Sequence, residues 1–200
     1  TETDGGACFR SHGYVMQSNL RPSMAGVIPA PHLDPVSGRV ARGASDMTYC
    51  VGLLLNRGLV FMSDTRTNAG IDNISVVTKL RTWSVPGERF FCLMSAGNLA
   101  TTQSTISLLE ERGLTANPRK PGLLNQPTLF QTAKLVGETL REVISYTEES
   151  GREGGSRFLG SFIFGGQIKG ERPRLFMIYP EGNFIEEGPD NPFFQIGEHK

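Results

Sequence analysis

Histidine is nearly absent from this chain of 200 residues: there are three, and His12 and His32 precede any patterned sequence while His199 is next to last. A Ser-His-Asp or Cys-His hydrolase holds a histidine in the body of its fold, and a His/Cys metal site needs several such ligands; the sequence supplies neither. Cysteine is scarce too. Cys8, Cys50 and Cys92 are odd in number and lack metal-ligand spacing, and the last two lie in apolar strand-like runs, which suits buried, reduced thiols of a cytoplasmic protein. Charge of one sign is missing, since 20 Lys and Arg balance 20 Asp and Glu. No basic footprint for nucleic acid follows, and Arg119-Lys120, Arg152 and Arg157 read as solvated loop charge. No apolar run approaches the roughly 20 residues of a membrane span, and the first residues lack the charged and apolar regions of a secretory signal. Neither a nucleic acid nor a membrane is an expected partner. Gly154-Gly155 and Gly165-Gly166 match neither the P-loop nor the dinucleotide-binding spacing and read as hairpin and loop glycines.

What is present divides at Met47. Over residues 1–46, Gly5-Gly6, Pro22, Pro29, Pro31 and Pro35 break any periodicity, so this segment reads as a disordered leader, a propeptide, or upstream sequence translated from a wrongly chosen start. The remainder, 47–200, has the length and apolar content of one compact domain.

Two apolar runs, Tyr49–Leu55 and Leu59–Ser63, flank Asn56-Arg57-Gly58 and predict a β-hairpin. A third strand is expected over Ile74–Trp83, turning at Pro86-Gly87-Glu88-Arg89 into a fourth, Phe90–Ser95. The period then changes: Leu99, Thr102, Ile106 and Leu109 recur at helical spacing, with Asn98 as N-cap and Gly113 as stop signal, predicting a helix over 98–112. Thr128-Leu129-Phe130-Gln131 is a capping-box pattern opening a second helix, whose buried stripe is Leu129, Ala133, Val136, Leu140 and Val143 or Ile144. Strands resume at Phe158–Phe164, Arg174–Tyr179, Phe184–Glu186 and Phe193–Ile196. Strands, two helices and strands again predict an α+β architecture of two antiparallel sheets with helices packed outside.

The chemistry turns on Thr48, which follows Met47 at the head of the first apolar run. A threonine in mid-chain has nothing to take its proton. At a chain terminus its own α-amine, with an ordinary pKa of about 7.7–8.0, accepts that proton directly or through one water. Methionine before a small residue is also a start that processing enzymes trim. Cys50 is expected on the opposite face of the strand, as core and not as nucleophile.

Thr48, Asp64, Lys79 and the turn Ser95-Ala96-Gly97-Asn98 resemble, in order and spacing, the proteasome-type peptidases, the threonine branch of the N-terminal nucleophile (Ntn) hydrolases that includes the 20S β subunits and HslV. Within them, Met47-Thr48-Tyr49-Cys50-Val51-Gly52, the run Ser63–Gly70, and Ser95-Ala96-Gly97-Asn98-Leu99-Ala100-Thr101-Thr102 look most like the bacterial ancestral-β-subunit (Anbu) group. The resemblance spans about residues 47–200 and implies a four-layer αββα sandwich, with the family's later helices and closing strands missing beyond Lys200 and an apolar sheet face left exposed. It implies a threonine endopeptidase degrading peptides or unfolded proteins in the bacterial cytoplasm, inside a ring or helical homo-oligomer, with an unfoldase partner that the sequence does not name and with no cofactor. It assigns Thr48 as nucleophile, Lys79 as the charge favouring its deprotonated form, Asp64 as the group orienting Lys79, and the Gly97 N–H as oxyanion donor beside a helix N-terminus. Thr67 and Asn68 would pair with substrate backbone, and Ser95 and Leu99 would line the first side-chain pocket. Two departures accompany it: Met47 stands where self-processing members have glycine, and the family's Gly-Ser-Gly aligns with Gly197-Glu198-His199, leaving no helper serine. A catalytically silent ring scaffold and an Ntn amidase acting on small amides are the alternative functions.

Overall fold

A computed structural model describes residues 8–10, 13–15, 48–68, 74–114, 122–149 and 159–197. Its strands are β1 (Cys8–Arg10), β2 (Gly13–Val15), β3 (Tyr49–Leu55), β4 (Gly58–Ser63), β5 (Arg66–Asn68), β6 (Ile74–Val76), β7 (Leu80–Val85), β8 (Arg89–Gly97), β9 (Gly160–Ile168), β10 (Arg174–Ile178), β11 (Phe184–Glu186) and β12 (Phe193–Gly197). Among the described residues two helices, α1 (Leu99–Leu114) and α2 (Leu129–Glu149), separate β8 from β9, with a 3-10 turn at Leu123–Asn125 between them. The first sheet runs β1-β2-β4-β3-β12, the second β11-β10-β9-β8-β7, and β5 with β6 forms a two-stranded ribbon. Every pairing is antiparallel.

Two cores explain the layering. Successive strand residues point to opposite faces, and β8 is apolar on both: Phe91 and Leu93 face the helices, whereas Cys92, Met94 and Ala96 face the other sheet. β9 divides in the same way, with Phe162 and Phe164 toward the helices and Ile163 toward the sheet. On the helix side these residues meet the α2 stripe Leu129, Ala133, Val136, Leu140 and Ile144 together with Ile106 and Leu109 of α1. Phenylalanine rings run across this layer, Phe91 edge-on to Phe164 at 5.6 Å and Phe164 stacked on Phe176 at 6.0 Å. Between the sheets, Cys50, Leu59, Phe61, Phe194 and Ile196 close onto Cys92, Met94, Ile163 and Leu175. The order is therefore helices, second sheet, first sheet. The outward side of the first sheet carries Tyr49, Leu55, Met62 and Phe193, each between 42% and 53% exposed.

The caps follow the sequence. Asn98 Oδ1 accepts the Thr101 N–H at 3.0 Å and Thr128 Oγ1 accepts the Gln131 N–H at 3.2 Å, each satisfying a helix-start donor. Gly113 does not stop α1, which continues to Leu114. A Cβ on Gly113 would meet nothing within 4 Å; the steric constraint there falls on Gly122, where a Cβ would lie 2.6 Å from the Gly113 Cα.

Three further expectations need correction. The single strand over Ile74–Trp83 is two: β6 pairs with β5, then the chain crosses and β7 pairs with β8, and a change of partner leaves no trace in periodicity. Gly165 and Gly166 are not hairpin or loop glycines but lie mid-β9, opposite Cys92 and Phe91. Space dictates them: a Cβ on Gly165 would sit 2.7 Å from Phe61 Cζ, and one on Gly166 would sit 2.8 Å from Phe91 Cδ1. Within residues 1–46, where no element was expected, β1 and β2 extend the first sheet, Tyr14 pairing with Phe61; strands of three residues are too short to register a period. The rest of that segment lies outside the described residues, as do Arg119-Lys120, Gly154-Gly155, Arg152, Arg157 and His199. Among the described residues no helix is long and apolar enough to cross a membrane.

Candidate active site

Thr48 immediately precedes β3, and Asp64 immediately follows its hairpin partner β4, so the hairpin returns Asp64 beside the start of its own first strand. Two bonds lock that closure: the Asp64 N–H donates to the Tyr49 carbonyl at 3.0 Å, and the Tyr49 N–H donates to Asp64 Oδ1 at 2.9 Å. Lys79 comes from the other sheet, one residue before β7, and is only 6% exposed. Its ammonium donates to both Asp64 oxygens at 2.8 Å and to Thr48 Oγ1 at 3.0 Å. A buried cation requires a counter-charge, and Asp64, with 27% of its side chain exposed, supplies it. The three residues thus form one hydrogen-bonded unit across the gap between the sheets.

Lys79 is fixed from behind by β8: its carbonyl accepts the Ser95 N–H at 3.0 Å and the Ser95 hydroxyl at 3.4 Å. Gly97 lies two residues further on, at the end of β8 and directly before the N-cap of α1. Its φ of +101° is one that side-chain-bearing residues rarely adopt, and a Cβ there would lie 2.5 Å from the Leu159 carbonyl oxygen. Ser95 and Leu99 share the lining of one cleft of about 170 Å³ with Val77, Arg81, Ile106 and Glu110. Thr67 and Asn68 occupy β5 opposite Ser75 and Ile74, in the ribbon between β4 and β7.

Cys50 is core, as expected, but on the same face as Thr48, because residues two apart on a strand share a side. Its Sγ donates to the Ser95 carbonyl at 3.6 Å. Burial, seconded by the Asp64 carboxylate, pushes its thiol up to about 12, against the opposing pull of Lys79. At neutral pH it is a protonated thiol and no nucleophile. Two further residues enter the geometry, Tyr49 through its N–H and Gly197, whose Cα abuts the Thr48 carbonyl. Side-chain chemistry gives no signal for either, since both act through backbone; the alignment of Gly197 with a family glycine was the available hint.

No family model matches the sequence, and no curated protein matches it. Solved structures do. Anbu from Hyphomicrobium sp. strain MC1 is 53% identical with a TM-score of 0.68, covering 76% of this chain and 62% of its own. Anbu from Yersinia bercovieri is 51% identical with a TM-score of 0.68, covering 76% and 61%. The Anbu complex from Pseudomonas aeruginosa, solved as a helical assembly, is 48% identical with a TM-score of 0.68, covering 76% and 61%. The chain thus spans a little over three-fifths of the length of the structures it matches. Identity near one half, the shared two-sheet and two-helix architecture, and the order of its motifs make this chain a homologue of the Anbu (ancestral β-subunit) proteins and a member of the proteasome and HslV superfamily of Ntn hydrolases.

Proposed function

We propose that the chain carries a threonine-peptidase centre at Thr48 in a self-compartmentalised homo-oligomer, and that this centre is silent for as long as Met47 is bonded to the Thr48 nitrogen. One observation carries the proposal: Thr48 Oγ1 accepts a hydrogen bond from a buried lysine that is itself neutralised by Asp64. Such a pair places positive charge where an alkoxide develops without leaving net charge in the interior.

In the proposed reaction Thr48 Oγ bonds to the carbonyl carbon of a substrate peptide while its proton passes to the free α-amine of Thr48. The carbonyl π pair moves to oxygen, and the resulting oxyanion is met by the Gly97 N–H beside the positive end of α1. Collapse breaks the C–N bond, the leaving amine takes the proton back, and an ester on Thr48 remains. Water, deprotonated by the same amine, then hydrolyses the ester and restores the hydroxyl. Ser95 and Leu99 line the cleft proposed for the residue on the acyl side, and β5, with Thr67 and Asn68, is the strand on which substrate backbone would pair. Lys79, Asp64 and Thr48 complete this scheme with side chains and the terminal amine alone.

A second reading rests on a specific feature. In the 200-residue sequence Thr48 follows Met47, so its nitrogen is an amide and supplies no base. In that form the subunit is a ring or filament scaffold with the same fold. The helical assembly of the Pseudomonas aeruginosa relative supports homo-oligomerisation under either reading.

The deciding experiment is the intact mass and N-terminal residue of the isolated protein, paired with hydrolysis of a fluorogenic peptide panel and of simple amides by the protein and by Thr48→Ala. A Thr48 terminus with peptide hydrolysis abolished by Thr48→Ala supports the peptidase. Hydrolysis of the simple amides alone identifies an amidase. A retained leader, no hydrolysis, and normal assembly of Thr48→Ala identify the scaffold.

A further inference from the structure

Gly197 ends β12 and pairs across from Tyr49, the residue after the proposed nucleophile. Its φ is +106°, a region costly for L residues bearing a Cβ. The steric environment is more restrictive than the dihedral. A Cβ on Gly197 would overlap the Thr48 carbonyl oxygen, and it would lie 2.6 Å from the Thr48 carbonyl carbon and 3.3 Å from Thr48 Cγ2, against roughly 3.5–4.0 Å for an ordinary carbon contact.

The peptide plane joining Thr48 to Tyr49 is therefore held at both ends. On one side the Tyr49 N–H donates to Asp64 Oδ1 at 2.9 Å; on the other the Thr48 carbonyl lies against the bare Cα of Gly197. With Lys79 on Oγ1 at 3.0 Å, Thr48 is fixed at its carbonyl, its following amide and its hydroxyl. We infer that Gly197 is a positioning residue for Thr48: its missing side chain lets β12 seat the Thr48 carbonyl, and this seat sets the place of the hydroxyl relative to Lys79. The inference rests on the peptidase reading for its kinetic consequence but not for its geometry.

Gly165 provides the control. It too has no room for a Cβ, but its neighbours are the core side chains of Phe61 and Leu175 and the Arg174 carbonyl oxygen, and none of them belongs to the Thr48 peptide. Gly197→Ala and Gly165→Ala, made in the full chain, should both destabilise the fold, and only Gly197→Ala should move Thr48. The readouts are the crystal structure of each variant and steady-state kinetics with the Thr48 amine free. The expected result is a Lys79–Thr48 contact opened beyond hydrogen-bonding range in Gly197→Ala, with kcat reduced on the order of 10- to 100-fold, as for about an ångström of misplacement, and KM little changed. Gly165→Ala should retain both the contact and kcat per folded molecule. A Gly197→Ala protein with the contact intact overturns the inference. Absence of hydrolysis by the unaltered protein would sink the peptidase reading alone, and the two structures would still decide the role of Gly197. Should Gly197→Ala fail to fold, D-alanine introduced at that position by semisynthesis decides instead. It suits a positive φ and turns its methyl to the other side, so the inference requires it to fold with the Lys79–Thr48 contact preserved. Loss of that contact, or failure to fold, overturns the inference.

Discussion

Removing the Asp64 carboxylate tests the unit on which the site depends. Asp64 Oδ1 accepts both the Tyr49 N–H at 2.9 Å and Lys79 at 2.8 Å, and Oδ2 accepts Lys79 at 2.8 Å. In Asp64→Ala the bond from the backbone amide to a charged acceptor disappears, a loss of about 1.5–3 kcal/mol. Lys79 is left as an ammonium only 6% exposed without its carboxylate. Breaking a fully buried pair costs about 3–5 kcal/mol, but Asp64 is 27% exposed and water entering the vacated volume offsets much of this. The two effects overlap, since the same carboxylate serves both partners, and a combined loss of about 2–4 kcal/mol is expected. Asp64→Asn retains a neutral acceptor for Tyr49 and loses only the charge, so about half that loss is expected. Urea unfolding of the three proteins, followed by far-ultraviolet circular dichroism, measures both differences, provided the denaturant slopes agree. An Asp64→Ala protein within about 0.5 kcal/mol of the parent, the range of ordinary surface substitutions, would refute the reading of Asp64 and Lys79 as a stabilising pair across the gap between the sheets. Equal losses for the alanine and asparagine variants would show that charge, and not the Tyr49 bond, carries the whole effect.

Four other outcomes follow from the same geometry. Cys50, its thiol pushed up to about 12 by burial, and Cys92, raised well above its ordinary value by burial, should resist iodoacetamide in the native protein at pH 8 and react fully after denaturation, as read by peptide mass mapping; native alkylation of Cys50 would contradict its place in the core. Gly165→Ala forces a Cβ against Phe61 and Leu175 and should cost about 1–3 kcal/mol by urea unfolding, where an equal or higher midpoint would mean that the sheets yield freely. Asn98→Ala removes the acceptor of the Thr101 N–H and should cost about 1 kcal/mol by the same assay, with α1 otherwise intact. The hydrogen bond from Arg174 holds Glu186 below its ordinary range, so its contribution to stability is present above the unfolded-state pKa and is lost as pH falls through the lower folded-state value. Glu186→Gln should flatten the acid limb of the urea midpoint against pH, and an unchanged limb would remove Glu186 from that dependence.

The local pattern of residues was legible wherever one partner and one period governed a segment. The hairpin of β3 and β4, both helix caps and the whole α2 stripe from Leu129 to Ile144 fall where alternation, capping chemistry and the 3.6-residue repeat place them. Legibility failed where the deciding atoms belong to another segment. Nothing in Ile74–Trp83 records that the chain leaves β5 for β8, and Gly165-Gly166 carries the turn composition of a loop although the rings of Phe61 and Phe91 are what exclude a side chain there. At the site, Thr48, Asp64 and Lys79 were readable through the family resemblance of their order and spacing, since an aspartate after a strand or a lysine before one is unremarkable alone, and the structure joins all three by hydrogen bonds. That Cys50 shares the face of Thr48 follows from strand alternation alone. The Tyr49 amide and the Gly197 Cα were not readable, because a backbone atom leaves no mark of its use in residue identity.

The constellation is divided between the sheets, and this ties its geometry to the packing beneath it. Thr48 and Asp64 belong to the first sheet, while Lys79, Ser95 and Gly97 belong to the chain of the second, so the Lys79–Asp64 pair bridges the two over the core of Cys50, Phe61, Ile163 and Leu175. At two points within that core a side chain is absent on one sheet where a large one projects from the other. A Cβ on Gly52 would lie 2.9 Å from Ile163 Cγ2, and one on Gly165 would lie 2.7 Å from Phe61 Cζ. Close-packed interiors take up a small volume change only by shifting side chains and transmit a larger one. The methyl of an alanine at either glycine meets side chains that can turn aside at a cost in stability. A side chain larger than alanine would drive the sheets apart, and the first polar contact to lengthen would then be the one Lys79 makes across the gap. The spacing of the sheets thus sets the reach of Lys79 to Thr48, and small core residues far from the hydroxyl in sequence belong to the physical specification of the site.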